Sequence, residues 1–183
     1  MFDELGDCAM DHASFTHVDT IADRFSTNAA ATRSRFFVRT RFLVPDTARS
    51  DRERLALACL RLVLRACEEA DAAHYAQAHE LAERLFERRR AVDYVRTVSA
   101  IVRVLRRDRE TGFCFQHEAS DKLTLDEDRF LLALQAAIDG NPVGVEAAAV
   151  MLLQGACVCA IADEFRHLAK LTLGGPAPCT RPS

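Results

Sequence analysis

One stretch limits what this chain can fold into more than any other. Residues 142–173 read PVGVEAAAVMLLQGACVCAIADEFRHLAKLTL, and between Val143 and Ala162 only Glu146 and Gln154 are strongly polar. A helix of that composition is apolar nearly all round. It is therefore either the buried centre of a bundle or a membrane span. Its length is close to the roughly 20 residues that cross a bilayer. Against a span stand the two polar residues, the dominance of Ala, Gly and Cys over Leu, Ile and Phe, and the lack of a basic cluster directly after it. The stretch is expected to be the buried helix of a soluble bundle, with no membrane span. Its small residues would let a neighbouring helix, or a second copy of the chain, approach closely.

The start of that helix is well marked. Asn141 suits an N-cap and Pro142 the first helical position, where its missing N–H is not needed. Gly140 suits a left-handed close of the helix before it. That preceding helix opens at the capping box Thr124-Leu125-Asp126-Glu127, and Leu131, Leu134 and Ile138 recur at helical spacing. An antiparallel helical hairpin is expected over 124–173.

The rest of the chain supplies amphipathic helices to surround this centre. Ser50-Asp51-Arg52-Glu53 is a second capping box, opening a helix to about Glu69. Its apolar face carries Leu55, Cys59, Leu62, Val63, Ala66 and Cys67, while Arg54, Arg61 and Arg65 are expected away from that face. Residues 71–90 read as helix, with Tyr75, Ala78, Ala82, Leu85 and Phe86 inward. Residues 91–107 continue with a core seam of Val95, Val98, Val102 and Leu105. Nothing at Arg90-Ala91 decides between one bent helix and two. Residues 108–123 are expected to be a loop pinned by Phe113 and Phe115. A first helix fits Ser14 to Phe25, and 26–49 alternates Arg with apolar residues without choosing strand or helix before Pro45. The fold class is all-α: a single-domain bundle of about five to seven helices over 15–173, between an acidic flexible end at 1–14 and a Pro-rich flexible tail at 174–183.

Length and charge narrow the function without naming it. A chain of 183 residues is long enough for a sizeable core. A net charge of −3 argues against a generic polyanion binder, although a local basic patch survives that argument. Arginine outnumbers lysine 22 to 2, which favours planar, bidentate anion contacts wherever Arg clusters. The first residues lack the basic and apolar regions of a signal peptide, so a cytoplasmic location is expected. The seven Cys sit mostly in apolar helical patterns and suggest reduced core residues rather than a disulfide framework.

Three constellations carry chemistry. Arg89, Arg96 and Arg103 recur every seven residues, with Arg106, Arg107 and Arg109 behind them, and form a candidate docking face for an acidic protein partner or for the chain's own acidic end. Arg33, Arg35, Arg39 and Arg41 follow a faint helix-turn-helix pattern and would contact DNA. Glu164-x-x-His167 and Asp71-x-x-His74 place carboxylate and imidazole on one helix face, the arrangement of carboxylate-bridged metal sites. No Gly-rich phosphate loop, nucleophile elbow or His-Glu-x-x-His occurs. The expectation is a small adaptor or regulatory protein acting through protein contacts, with a homodimer through a small-residue face and no cofactor. DNA binding is the alternative, and a metal-binding bundle or small enzyme comes third.

Overall fold

The computed structural model describes residues 43–44, 49–117, 120–155 and 158–174. The expected first helix, the Arg-rich segment 33–42 and the tail from 175 lie outside the described residues. Among the described residues six helices follow one another: α1 (Asp51–Glu69), α2 (Ala72–Glu83), α3 (Arg88–Asp108), α4 (Leu125–Ile138), α5 (Pro142–Leu153) and α6 (Cys159–Leu173). Two short strands, β1 (Leu43–Val44) and β2 (Leu123–Thr124), pair antiparallel, with Leu43 opposite Thr124 and Val44 opposite Leu123. The all-α bundle expected from the helical periodicities is the fold.

Local signals set most of the boundaries. Both capping boxes form, Ser50 with Glu53 and Thr124 with Glu127. Asp71 caps α2 through Ala73. Asn141 accepts from the Gly144 N–H, Pro142 occupies the first turn of α5, and Gly140 takes φ +65°. The α2–α3 break falls at 84–87. There Phe86 turns inward onto Tyr94, with ring centroids 5.1 Å apart, while Leu85 points outward rather than in.

The centre of the bundle is α1, not the 142–173 stretch. From Leu55 to Leu64, every residue of α1 except Ala58 is buried. The helix lies against α2, α3 and α4. Residues 142–173 instead form two helices. Gln154 (φ 57°) and Gly155 (φ 94°) adopt left-handed backbone, and the Gly155 N–H donates back to the Val150 carbonyl. That six-residue closure is a helix stop. α5 packs mainly on α4, buries Val145, Ala148, Ala149, Leu152 and Leu153, and leaves Val143 and Met151 exposed. α6 then packs on α3 and α4. No helix among the described residues is long and apolar enough to cross a membrane.

Burying α1 all round buries Arg61, which is only 2% exposed. It does not lie on a polar outer face, because Ser120, Lys122 and Glu127 cover that face. Arg61 donates to Glu127 at 2.7 Å and to the carbonyls of Ser120 and Lys122. Glu127 also accepts from the N–H groups of Gln116 and Thr124. Beside it, Asp126 accepts both contacts from Arg109 at 2.9 Å and one from the Cys114 N–H. Arg109 is thus a buried structural residue rather than part of an exposed stripe. Thr124 completes the network by donating to the Cys114 carbonyl.

Other buried groups are plain core. Burial pushes the Cys59 thiol up to about 12, so it behaves as a small hydrophobe. Among the described residues the enclosed Tyr94 hydroxyl has no hydrogen bond of normal geometry, and Thr172 beside it donates to the Leu168 carbonyl instead.

Two stability outcomes follow. Arg61→Met leaves Glu127 buried without its cation and is expected to cost about 3–5 kcal/mol in urea denaturation. Adding Glu127→Gln should recover part of that loss, giving a coupling of about 1 kcal/mol or more in a double-mutant cycle; strict additivity would refute the pairing. Separately, Ala70 holds φ 54° at the exposed end of α1. Left-handed backbone strains a Cβ-bearing residue, so Ala70→Gly should stabilise the protein by about 0.5–1 kcal/mol by thermal melting.

Candidate functional site

The site is assembled on α3, whose two ends are pinned by arginines. Near its start, Arg90 Nε donates to the Leu171 carbonyl at 2.7 Å, and Nη2 contacts the same oxygen. The Arg90 guanidinium also lies 4.6 Å over the Phe86 ring. A cation placed on the last carbonyls of α6 is favoured by that helix's dipole, and one over an aromatic face by the ring's quadrupole. Just past the end of α3, Arg109 is fixed by Asp126 and lies over Phe113. The contact of Arg90 with Leu171 at one end, and the shared cleft described next, set α3 and α6 antiparallel.

Between the pins, α3 turns its Val95, Val98, Ile101, Val102 and Leu105 inward and leaves Arg89, Arg96 and Arg103 exposed. Alongside this face runs an open cleft of about 390 Å³ between α3 and α6. Arg96, Thr97, Ala100 and Arg103 form one wall, and Asp163, Glu164 and His167 the other. Arg96 is paired with Asp93 at 3.0 Å on its own helix, and Asp163 with Arg166 at 2.6 Å on its own. Arg103, Glu164 and His167 form no hydrogen bond or ion pair among the described residues. The Thr97 hydroxyl donates to the Asp93 carbonyl, which leaves its oxygen free only to accept.

Two groups of residues that the sequence nominates separately therefore meet in one place: Arg96 and Arg103 from the seven-residue repeat, and Glu164 and His167 from the Glu-x-x-His pattern. The remaining nominees are elsewhere. Arg89 lies on the same α3 face, Arg106 is exposed, and Arg107 pairs with its neighbour Asp108 at 2.6 Å. Asp71 is engaged as a helix cap, and His74 bonds Glu69 at 2.8 Å. The described residues bring no three His, Cys, Asp or Glu side chains together as a metal set, so the two carboxylate–imidazole pairs do not share a centre. Arg33, Arg35, Arg39 and Arg41 lie outside the described residues. Thr97 and Ala100 were not legible as site residues. They become cleft lining only because α6 crosses beside them.

The α1–α2 corner carries its own electrostatics. Glu69 accepts from His74 and from Arg65, and Arg65 also contacts a ring nitrogen of His117 at 3.2 Å. The hydrogen bond to Glu69 holds the His74 imidazole above its ordinary range, and the same bond holds the Glu69 carboxyl below its own. The stabilisation from a raised imidazole is present below the ordinary histidine range and is lost as pH rises through the raised value. In an NMR titration, His74 should titrate above about 6.5, and Glu69→Gln should move it down. A His74 titration that is unchanged in that variant would contradict the contact.

Searched against protein families, curated proteins and solved structures, the chain matches none.

Proposed function

We propose that this chain is a binding protein whose recognition element is the exposed arginine face of α3, and that its partner is an acidic segment of another protein. The observation that carries this reading is the line of Arg89, Arg96 and Arg103 on a helix held at both ends. Seven residues of helix advance about 10 Å, so the three positions lie along about 20 Å of the helix. Val92, 43% exposed, lies between the first two and offers an apolar contact in the first half of the stripe. A partner helix carrying carboxylates at the same spacing would meet all three. Pinned ends mean that little backbone ordering is added on binding, and the cost that remains is that of the three arginine side chains.

The whole chain carries a net charge of −3, so a basic stripe on it is a local feature rather than a general attraction for polyanions. Guanidinium favours carboxylate because the two forks match, a fit that ammonium lacks. The DNA reading rests on Arg33, Arg35, Arg39 and Arg41, which lie outside the described residues.

Exposed pairs contribute about 0.2–1 kcal/mol each, so three together should amount to about a tenfold effect. A labelled helical peptide with Glu at every seventh position of one face should bind at low salt, measured by fluorescence anisotropy. The triple variant Arg89→Glu, Arg96→Glu, Arg103→Glu should weaken it by at least about tenfold. Equal binding by the Lys counterpart peptide, or indifference to the triple variant, would refute the proposal. Efficient competition by random duplex DNA would redirect it to nucleic acid.

A further inference from the structure

We infer that the α3–α6 cleft is a second binding site, for a small zwitterion that presents a carboxylate to Arg103 and Arg96 and an ammonium to Glu164. It shares two arginines with the outer face of α3 but does not depend on the acidic partner. Arg103 and Glu164 are long, oppositely charged side chains lining the same cleft, yet neither is in an ion pair with the other or with any described residue. Their neighbours Arg96 and Asp163 are each engaged along their own helices rather than across the gap. The cleft thus holds a cationic wall and an anionic wall apart.

That arrangement selects its ligand by charge. A simple cation at Glu164 and His167 faces two guanidiniums opposite, which disfavours a divalent metal there. A simple anion at Arg103 faces Asp163 and Glu164. A molecule with both charges meets an opposite charge at each wall and carries no net charge into the cleft. The volume of about 390 Å³ lies in the range of small-ligand pockets. Ala100, between Arg96 and Arg103, keeps the floor low. The Thr97 oxygen, with its own hydrogen committed to Asp93, is an acceptor for an ammonium. The His167 ring adds a nitrogen that donates or accepts according to its tautomer.

The test uses ω-amino carboxylates as a ruler: glycine, β-alanine, 4-aminobutyrate and 6-aminohexanoate, titrated into the full chain and followed by backbone amide shifts. One length of the series should shift the amides around Thr97, Ala100, Glu164 and His167 and saturate. Butyrate and butylamine, each with one of the two charges, should bind at least about tenfold more weakly. Arg103→Met and Glu164→Gln should each cost about tenfold or more. Both residues lie at the surface of the cleft, and unchanged shifts elsewhere in the spectrum establish that the variants fold. Arg89→Glu should leave zwitterion binding intact, which separates this site from the outer face. The inference is overturned if no member of the series saturates, if the single-charge controls bind as well, or if the two variants bind like the parent. Manganese broadening of the same amides, with no response to the zwitterions, would overturn it in favour of a metal site.

Discussion

The two adjacent acids that open α4 organise this fold. Asp126 and Glu127 are buried, and each receives an arginine from a distant part of the chain, Arg109 from the end of α3 and Arg61 from the middle of α1. Around those charges, the N–H groups of Cys114, Gln116 and Thr124 supply the remaining hydrogen bonds. Taking four charges out of water is costly, and buried pairs often contribute little net stability compared with apolar residues. Their value here is geometric. The segments 109–117 and 120–124, anchored in the core by Phe113, Phe115 and Leu123, gain polar attachment points as well. The same contacts bring α1, α3 and α4 to a common corner, beside which β1 pairs with β2.

From that corner the arginines of α3 divide into two kinds. Eight lie between positions 88 and 109, and composition alone treats them alike. Arg109 is consumed by Asp126 and Arg90 by the Leu171 carbonyl in the last turn of α6. These two fix the ends of the helix. Arg89, Arg96 and Arg103 remain outward on the segment so fixed. The proposed recognition face thus inherits its rigidity from the buried network at one end and from the α6 carbonyl clamp at the other. The α3–α6 cleft follows from the same antiparallel placement.

Signals that act within a few residues were legible from the sequence. Both capping boxes, the Gly140-Asn141-Pro142 turn and the valine seam of α3 form as their local chemistry dictates. What depends on distant chain was not. Residues 142–173 are apolar throughout, and apolar composition does not report which side of a helix meets water, so Val143 and Met151 end up exposed. Gln154 entering the left-handed region gives no signal of its own, and Gly155 after it stood in an apolar run that masked the stop. Arg61 repeats Arg54 at seven residues and so looks like part of a solvated face. Only the loop that folds over that face makes it interior. The candidate site shows the same division. Each wall of the cleft carries a spacing visible in the sequence, while their meeting, and the roles of Thr97 and Ala100, come from the crossing of two helices far apart in the chain.

Native-state hydrogen exchange of the loop amides tests the central claim most directly. If Asp126 and Glu127 tie the 109–124 loop into the bundle, the amides of Cys114, Gln116 and Thr124 exchange only with the opening of the core, at the free energy shown by the α1 amides from Leu60 to Leu64. Exchange of those three amides at the rates of an open surface loop, while α1 remains protected, would contradict it.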